Sequence, residues 1–369
     1  MVRKPTAPRK PASTKPKQPP KAKAAAPAAA VTPSPPSFTP SHPLFSTQLR
    51  LVDVFARTFA EELSAPDLDN TLQQIKGDLY KRNFGAAFGQ QERLAVYAAR
   101  WSPTRALCYA SIFNGLAEQL SSVFHEVGGK GTEDKLSGED ADRPRLKIVS
   151  VGGGAAELAS FATFLGNSEV PAGEITLVDS GPWDSVVDRL HHGLTTAPPL
   201  PDFASAAAIA SNKPFLSPDS LRTSFHQHDI LLLDSDSLGR LLGMSPVVVT
   251  LLFTLNELYT SGGIGRTTSF LLNLGARLAR GSLLLVVDSP GSYAEAAVGG
   301  SSKRYPMRWL LEHALLTTAA GKWERVETCD SVWFRLADSL RYPITLENMR
   351  YQLHLYRVVG PSSPTKGRE

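Results

Sequence analysis

Val149-Ser-Val-Gly-Gly-Gly-Ala-Ala-Glu157 is the stretch on which the fold turns. It joins a short apolar run, Leu146 to Val151, to a helical stretch from Ala155 to Phe164. Gly152 and Gly154 let the chain turn tightly and bring bare backbone against a ligand, and the helix that follows offers free N–H groups. Downstream the same alternation repeats. Apolar runs lie at Glu174 to Val178, at Val247 to Thr254 and at Ser282 to Val287, another strand ends near Phe225, and a helix runs from about Thr267 to Leu278. Uniformly apolar strands alternating with helices predict an α/β fold with a parallel, Rossmann-like sheet. Trp333 to Leu336 and Gln352 to Val358, separated by a turn-rich stretch, read as an antiparallel pair closing one edge.

Upstream the texture is helical. Leu51, Val54, Phe55, Phe59 and Leu63 recur at helical spacing, as do Leu72, Ile75, Leu79 and Tyr80. Ser102-Pro103 predicts a helix start, with a hydroxyl N-cap followed by proline in the first turn. The expected organisation is a disordered basic tail over 1–43, a helical cap over 44–127, a flexible linker over 128–144, the α/β domain over 145–360 and a disordered C-terminus over 361–369.

Charge divides along the same lines. The tail carries Arg3, Lys4, Arg9, Lys10, Lys15, Lys17, Lys21 and Lys23 without one acid, whereas the whole chain has a net charge of only +4, so the remainder is net acidic. Such a tail reads as a nucleic-acid arm or a nuclear or nucleolar address, against the plainer reading of a solubilising extension. No long apolar run predicts a membrane span, and no secretory signal is expected. Cys108 and Cys329 are too few for a disulfide framework or a structural zinc site, which suits a reducing compartment: nucleus or nucleolus, with the cytoplasm also allowed.

The glycine loop admits two cofactor classes. A dinucleotide site wants glycine where this chain has Glu157; an acid there is poorly placed beside a pyrophosphate but acceptable near the cationic aminoacyl end of S-adenosylmethionine. The sulfonium cofactor is therefore favoured over NAD, with Gly152, Gly153, Gly154 and Glu157 at the loop. Asp179 ends the second strand, placed to hold ribose hydroxyls. Asp229, just past the third strand, is placed to accept from the adenine amino group, with Ile230 or Trp183 on the adenine face; helix–sheet packing is an equal reading for Trp183. No G-x-S-x-G elbow, HExxH pair or P-loop is present, and His191, His192, His226 and His228 read as packed or solvent-facing, so no metal is expected. Gly262-Gly-Ile-Gly-Arg-Thr-Thr reads as a loop.

Five further stretches carry a resemblance: RWSPTRALCYASIF (100–113), LLFTLNEL (251–258), LLLVVDSPGSY (283–293), YPMRWLLEHALL (305–316) and YPITLENMRYQLHLYRV (342–358). Together, over roughly residues 70 to 358, they resemble the fungal family of S-adenosylmethionine-dependent methyltransferases that includes the large-subunit ribosomal RNA uridine-N3 methyltransferases. The resemblance implies a class I methyltransferase sheet, cofactor binding by Gly152, Gly154 and Asp179, a ribosomal RNA or pre-ribosome partner, and weight on Asn256. On that footing Asn256 would hold a uracil edge and Glu257 would take the N3 proton once burial raises its pKa, against the alternative that both merely open the next helix. Lys76, Lys81, Arg82, Arg100 and Arg105 are candidates to grip RNA from the helical cap, or simply form a solvated basic face. Two other functions stay open: an NAD-dependent oxidoreductase, and a non-catalytic Rossmann-like RNA-binding assembly factor.

Overall fold

The computed structural model describes residues 42–128, 144–298 and 301–360. The tail over 1–41, most of the predicted linker, and residues 361–369 lie outside the described residues.

The amino-terminal part is helical throughout: α1 (Phe45–Thr58), α2 (Ala60–Ser64), α3 (Leu68–Tyr80), α4 (Phe84–Phe88), α5 (Gln91–Arg100), α6 (Ser102–Gly115) and α7 (Ala117–Gly128). The apolar stripe of α1 is the reason it packs, with Leu51, Val54 and Phe55 fully buried. α6 is buried on nearly every side. Its start differs from the sequence reading: Ser102 is already helical and makes no capping bond, because α5 leaves only Trp101 between the two helices and the Arg105 N–H bonds to the Trp101 carbonyl.

The sheet is built from β1 (Leu146–Val151), β2 (Gly173–Asp179), β3 (Leu221–Gln227), β4 (Val248–Leu252), β5 (Leu283–Asp288), and, after the hairpin of β6 (Tyr293–Val298) and β7 (Ser301–Pro306), from β8 (Trp323–Phe334) and β9 (Met349–Val358). The strand order is β3-β2-β1-β4-β5-β9-β8; β1 to β5 run parallel, and β9 is antiparallel to both β5 and β8. Helices α8 (Ala155–Asn167), α9 (Asp184–Thr195), α10 (Ala206–Ser211), α11 (Ser235–Leu242), α12 (Leu255–Glu257), α13 (Gly263–Arg277) and α14 (Met307–Glu312) fill the connections. This is the class I methyltransferase architecture.

Alternation along β5 shows how the layers form. Leu283, Leu285 and Val287 face a core shared with α1, α6 and α8, whereas Leu284 and Val286 face a second core under α13. The helical segment thus forms one layer of the sandwich, its Phe55, Tyr109 and Phe113 sharing a core with Phe161 and Leu177. Because the chain winds from β1 to β3 on one side and returns to β4 on the other, a crevice opens at the carboxyl ends of β1 and β4.

Candidate active site

The first wall of the crevice is the glycine loop. Gly152 lies at φ +69°, its N–H bonded to the Val178 carbonyl at 2.7 Å. Gly154 opens α8 and donates its N–H to the Glu157 carboxylate at 2.8 Å, while a Cβ there would sit 2.8 Å from the Trp183 indole. Both glycines line a cavity of about 370 Å³. Gly153 does not; its missing Cβ would strike Ser150, so its smallness serves packing against the sheet.

Glu157 reaches the cavity from the first turn of α8 and Asp179 from the end of β2. Burial pushes Glu157 up to about 7, against the Gly154 N–H that holds it down. Burial likewise pushes Asp179 up to about 6, against the Gly181 N–H that its Oδ1 accepts at 2.7 Å. Asp229 and Ile230 stand at the cavity beyond β3; Asp229 is exposed and accepts the Leu231 N–H at 2.9 Å. Trp183 is buried against Gly154 with its ring edge-on to Tyr97 at 5.9 Å, a wall of the cavity and part of the packing at once.

The end of β4 separates two residues read together from the sequence. Glu257 lines the cavity, and burial raises its pKa to about 7, with Arg105 opposing. Asn256 does not line it. Its backbone N–H donates to Asp288 at 3.0 Å, and its Oδ1 is buried without a hydrogen-bond partner. It is not the side-chain cap of the sequence alternative either, since Asp288 from the neighbouring strand takes that part. The apolar run expected to reach Thr254 stops at Leu252, because Phe253 turns into the left-handed region at φ +60°. After α12 the helix widens into a π-helical stretch, Leu258–Gly262, and α13 begins at Gly263, so the segment read as a loop is the end of one helix and the start of the next.

The roof comes from α4, α5 and α6, through Phe84, Phe88, Tyr97 and Arg105. Arg105 therefore faces the cavity and not an outer basic face. Lys76, Lys81 and Arg82 are exposed, while Arg100 pairs with Glu347 at 2.8 Å in a separate groove beside Trp101 and Lys76. The five basic residues do not form one surface. Arg105 was visible as a base; that it belongs to the site depends on how α6 packs on α8, for which the sequence carries no local signal.

A profile of SAM-dependent methyltransferases matches residues 55–357. The chain belongs to that family. This removes the oxidoreductase reading. The methyltransferase is 31% identical over 324 residues to the 25S rRNA (uridine(2843)-N(3))-methyltransferase of Saccharomyces cerevisiae, covering 83% of this chain and 84% of the yeast protein. Among solved structures it is similar to an O-methyltransferase family protein from Burkholderia thailandensis, at 12% identity and a TM-score of 0.36, covering 80% of this chain and 71% of the other. A SAM-dependent methyltransferase from Methanosarcina mazei gives 11% identity and a TM-score of 0.33, covering 59% and 94%.

The residues present fit S-adenosylmethionine. The cavity volume falls within the roughly 300–1,000 Å³ of cofactor pockets. Carboxyls whose ionisation is suppressed by burial gain from a cationic ligand, and Gly152 and Gly154 line the same cavity.

Proposed function

We propose that this methyltransferase methylates N3 of a uridine in large-subunit ribosomal RNA. The observation that carries the reading is Glu257: a carboxyl on the cavity wall, poised by burial at about 7, where an acceptor with an acidic N–H needs a base. The activity named for the yeast relative supports the same acceptor.

Asp179 would hold the cofactor's ribose hydroxyls, Asp229 and Ile230 its adenine, and the Gly152–Gly154 loop with Glu157 its methionine end. When bound, S-adenosylmethionine supplies an electrophilic methyl group whose bond to sulfur breaks as the acceptor nitrogen's bond forms. Glu257 takes the N3 proton, since protonated uracil N3 is a poor nucleophile. N3 lies on the Watson–Crick edge, so the uridine must be unpaired before it enters. Phe84, Phe88 and Tyr97 roof the cavity with aromatic rings. The acid-free tail supports an arm that adds sequence-independent phosphate affinity, and with it a role in ribosome biogenesis in the nucleus or nucleolus.

The test is nucleoside analysis of unmodified 25S rRNA incubated with the full chain and deuteromethyl-labelled cofactor. The label is expected in N3-methyluridine. Label in another nucleoside, or none, overturns the proposal.

A further inference from the structure

We propose that Arg105 is a catalytic residue: its guanidinium neutralises the negative charge that spreads onto the uracil oxygens when Glu257 removes the N3 proton. The inference rests on the uridine-N3 reading above and deepens it.

Three observations converge on this arginine. Its guanidinium lies over two aromatic rings, 5.5 Å from the centroid of Tyr97 and 5.5 Å from that of Phe253. Those rings fix its orientation through cation–π attraction but satisfy none of its N–H groups. Among the described residues its guanidinium makes no hydrogen bond and no ion pair, although it lines the cavity. None of its side-chain nitrogens is a buried atom lacking a partner, so they stay open to the cavity, where a ligand oxygen can accept from them.

The second observation is the backbone that holds the Phe253 ring. Phe253 sits at φ +60°, a left-handed conformation that is strained for a non-glycine residue. Its N–H is tied to the Val287 carbonyl at 2.7 Å and its ring stacks on Tyr109 at 6.2 Å. That strained turn brings the ring to Arg105.

The third is charge. Burial opposes the charge on Arg105, but Tyr97, Tyr109, Glu257 and Glu157 outweigh it, so the guanidinium stays protonated. Glu257 and Glu157 are among the groups that act on it, and both line the same cavity. Its ring partner Phe253 follows β4 four residues before Glu257, which puts Arg105 at the strand end that carries the proposed base. There the proton transfer moves one negative charge: the N3–H bond breaks, the proton passes to the Glu257 carboxylate, and the electron pair stays on the ring, shared by N3 and both carbonyl oxygens. A preorganised guanidinium fork donating to a ring oxygen is an oxyanion-type stabiliser, and it leaves N3 free to react.

Holding the cofactor's carboxylate is the competing use of the same guanidinium, and the test separates them. Arg105→Met and Arg105→Lys are compared with the unmutated chain in single-turnover methylation of a 25S rRNA fragment spanning uridine 2843, prepared with uridine or with the more acidic 5-fluorouridine at that position. Melting curves and titration of S-adenosylhomocysteine run alongside. Arg105→Met is expected to slow uridine methylation by about 100-fold or more, as for loss of an oxyanion donor. The defect should shrink at least tenfold on 5-fluorouridine, Arg105→Lys should fall between the two, and S-adenosylhomocysteine affinity should stay within about threefold of wild type. An affinity loss that matches the rate loss, or an equal defect on both fragments, overturns the assignment and leaves the uridine reading intact. Failure of the unmutated chain to methylate either fragment overturns both.

Discussion

Gly152 and Thr254 meet across the switch point with no space between them: a Cβ on Gly152 would lie 2.4 Å from both Oγ1 and Cγ2 of Thr254. The two residues follow β1 and β4, so their contact sets how closely the glycine loop approaches the strand that carries the proposed base. Gly152→Ala meets both this clash and a positive φ. It is expected to cost on the order of 1–3 kcal/mol of stability and to weaken S-adenosylhomocysteine binding severely. Melting curves and calorimetry check it; a variant with wild-type stability and affinity contradicts the loop's role.

Glu257 leaves a signature in stability as well as in rate. Its folded pKa of about 7 lies above its ordinary 4.5, so it contributes stability that is fully present below about pH 4.5 and is lost as pH rises through about 7. Glu157 and Asp179 act in the same direction. His354, held down at about 4 by burial, acts in the opposite direction, contributing stability above its ordinary 6.5 that is lost as pH falls towards 4. The comparison that isolates Glu257 is therefore wild type against Glu257→Gln. The variant should gain melting temperature relative to wild type as pH is raised from about 5 to about 7.5, and equal pH slopes would contradict the buried, poised carboxyl.

Asp288, to which the sequence reading gave no role, matters more to this turn than Asn256 does. Asp288 accepts the N–H groups of Asn256 and Ser289, at 3.0 and 2.7 Å, and so ties the end of β5 to α12. Asn256 contributes to that link only through its backbone, and its unpaired Oδ1 adds nothing. Asn256→Ala should therefore change stability by less than about 1 kcal/mol and leave methyl transfer within a few-fold. Asp288→Ala should cost about 1.5–3 kcal/mol, as for loss of charged hydrogen bonds. A severe rate loss in a well-folded Asn256→Ala would restore it to the site.

The parallel strands were legible because burial on both faces leaves uniformly apolar runs, as in Leu283 to Val287. β8 was legible only at its end. It begins at Trp323, but its burial is mixed and its register breaks between Arg325 and Glu327 and again between Cys329 and Val332, so no period survives to be read. In the site, Gly152, Gly154, Asp179 and Asp229 announce themselves because local turns bring them to the strand ends. Asn256 and Glu257 could not be told apart, since the left-handed turn at Phe253 decides which of the two faces the cavity, and a non-glycine residue gives no warning of it. Arg105 looked like one surface base among five because its neighbours Tyr97 and Phe253 come from elements far apart in the chain.

The central claim is that Glu257 removes the proton from the methyl acceptor. The direct measurement is the pH dependence of single-turnover methylation of the uridine 2843 fragment by wild type and Glu257→Gln, with saturating cofactor. Wild type should rise through about pH 7 and level off, following the carboxyl's ionisation. Glu257→Gln should lose that rise and be slower by about 100-fold or more at neutral pH, with S-adenosylhomocysteine affinity unchanged. A folded, cofactor-binding Glu257→Gln that retains the wild-type rate and profile would contradict the account.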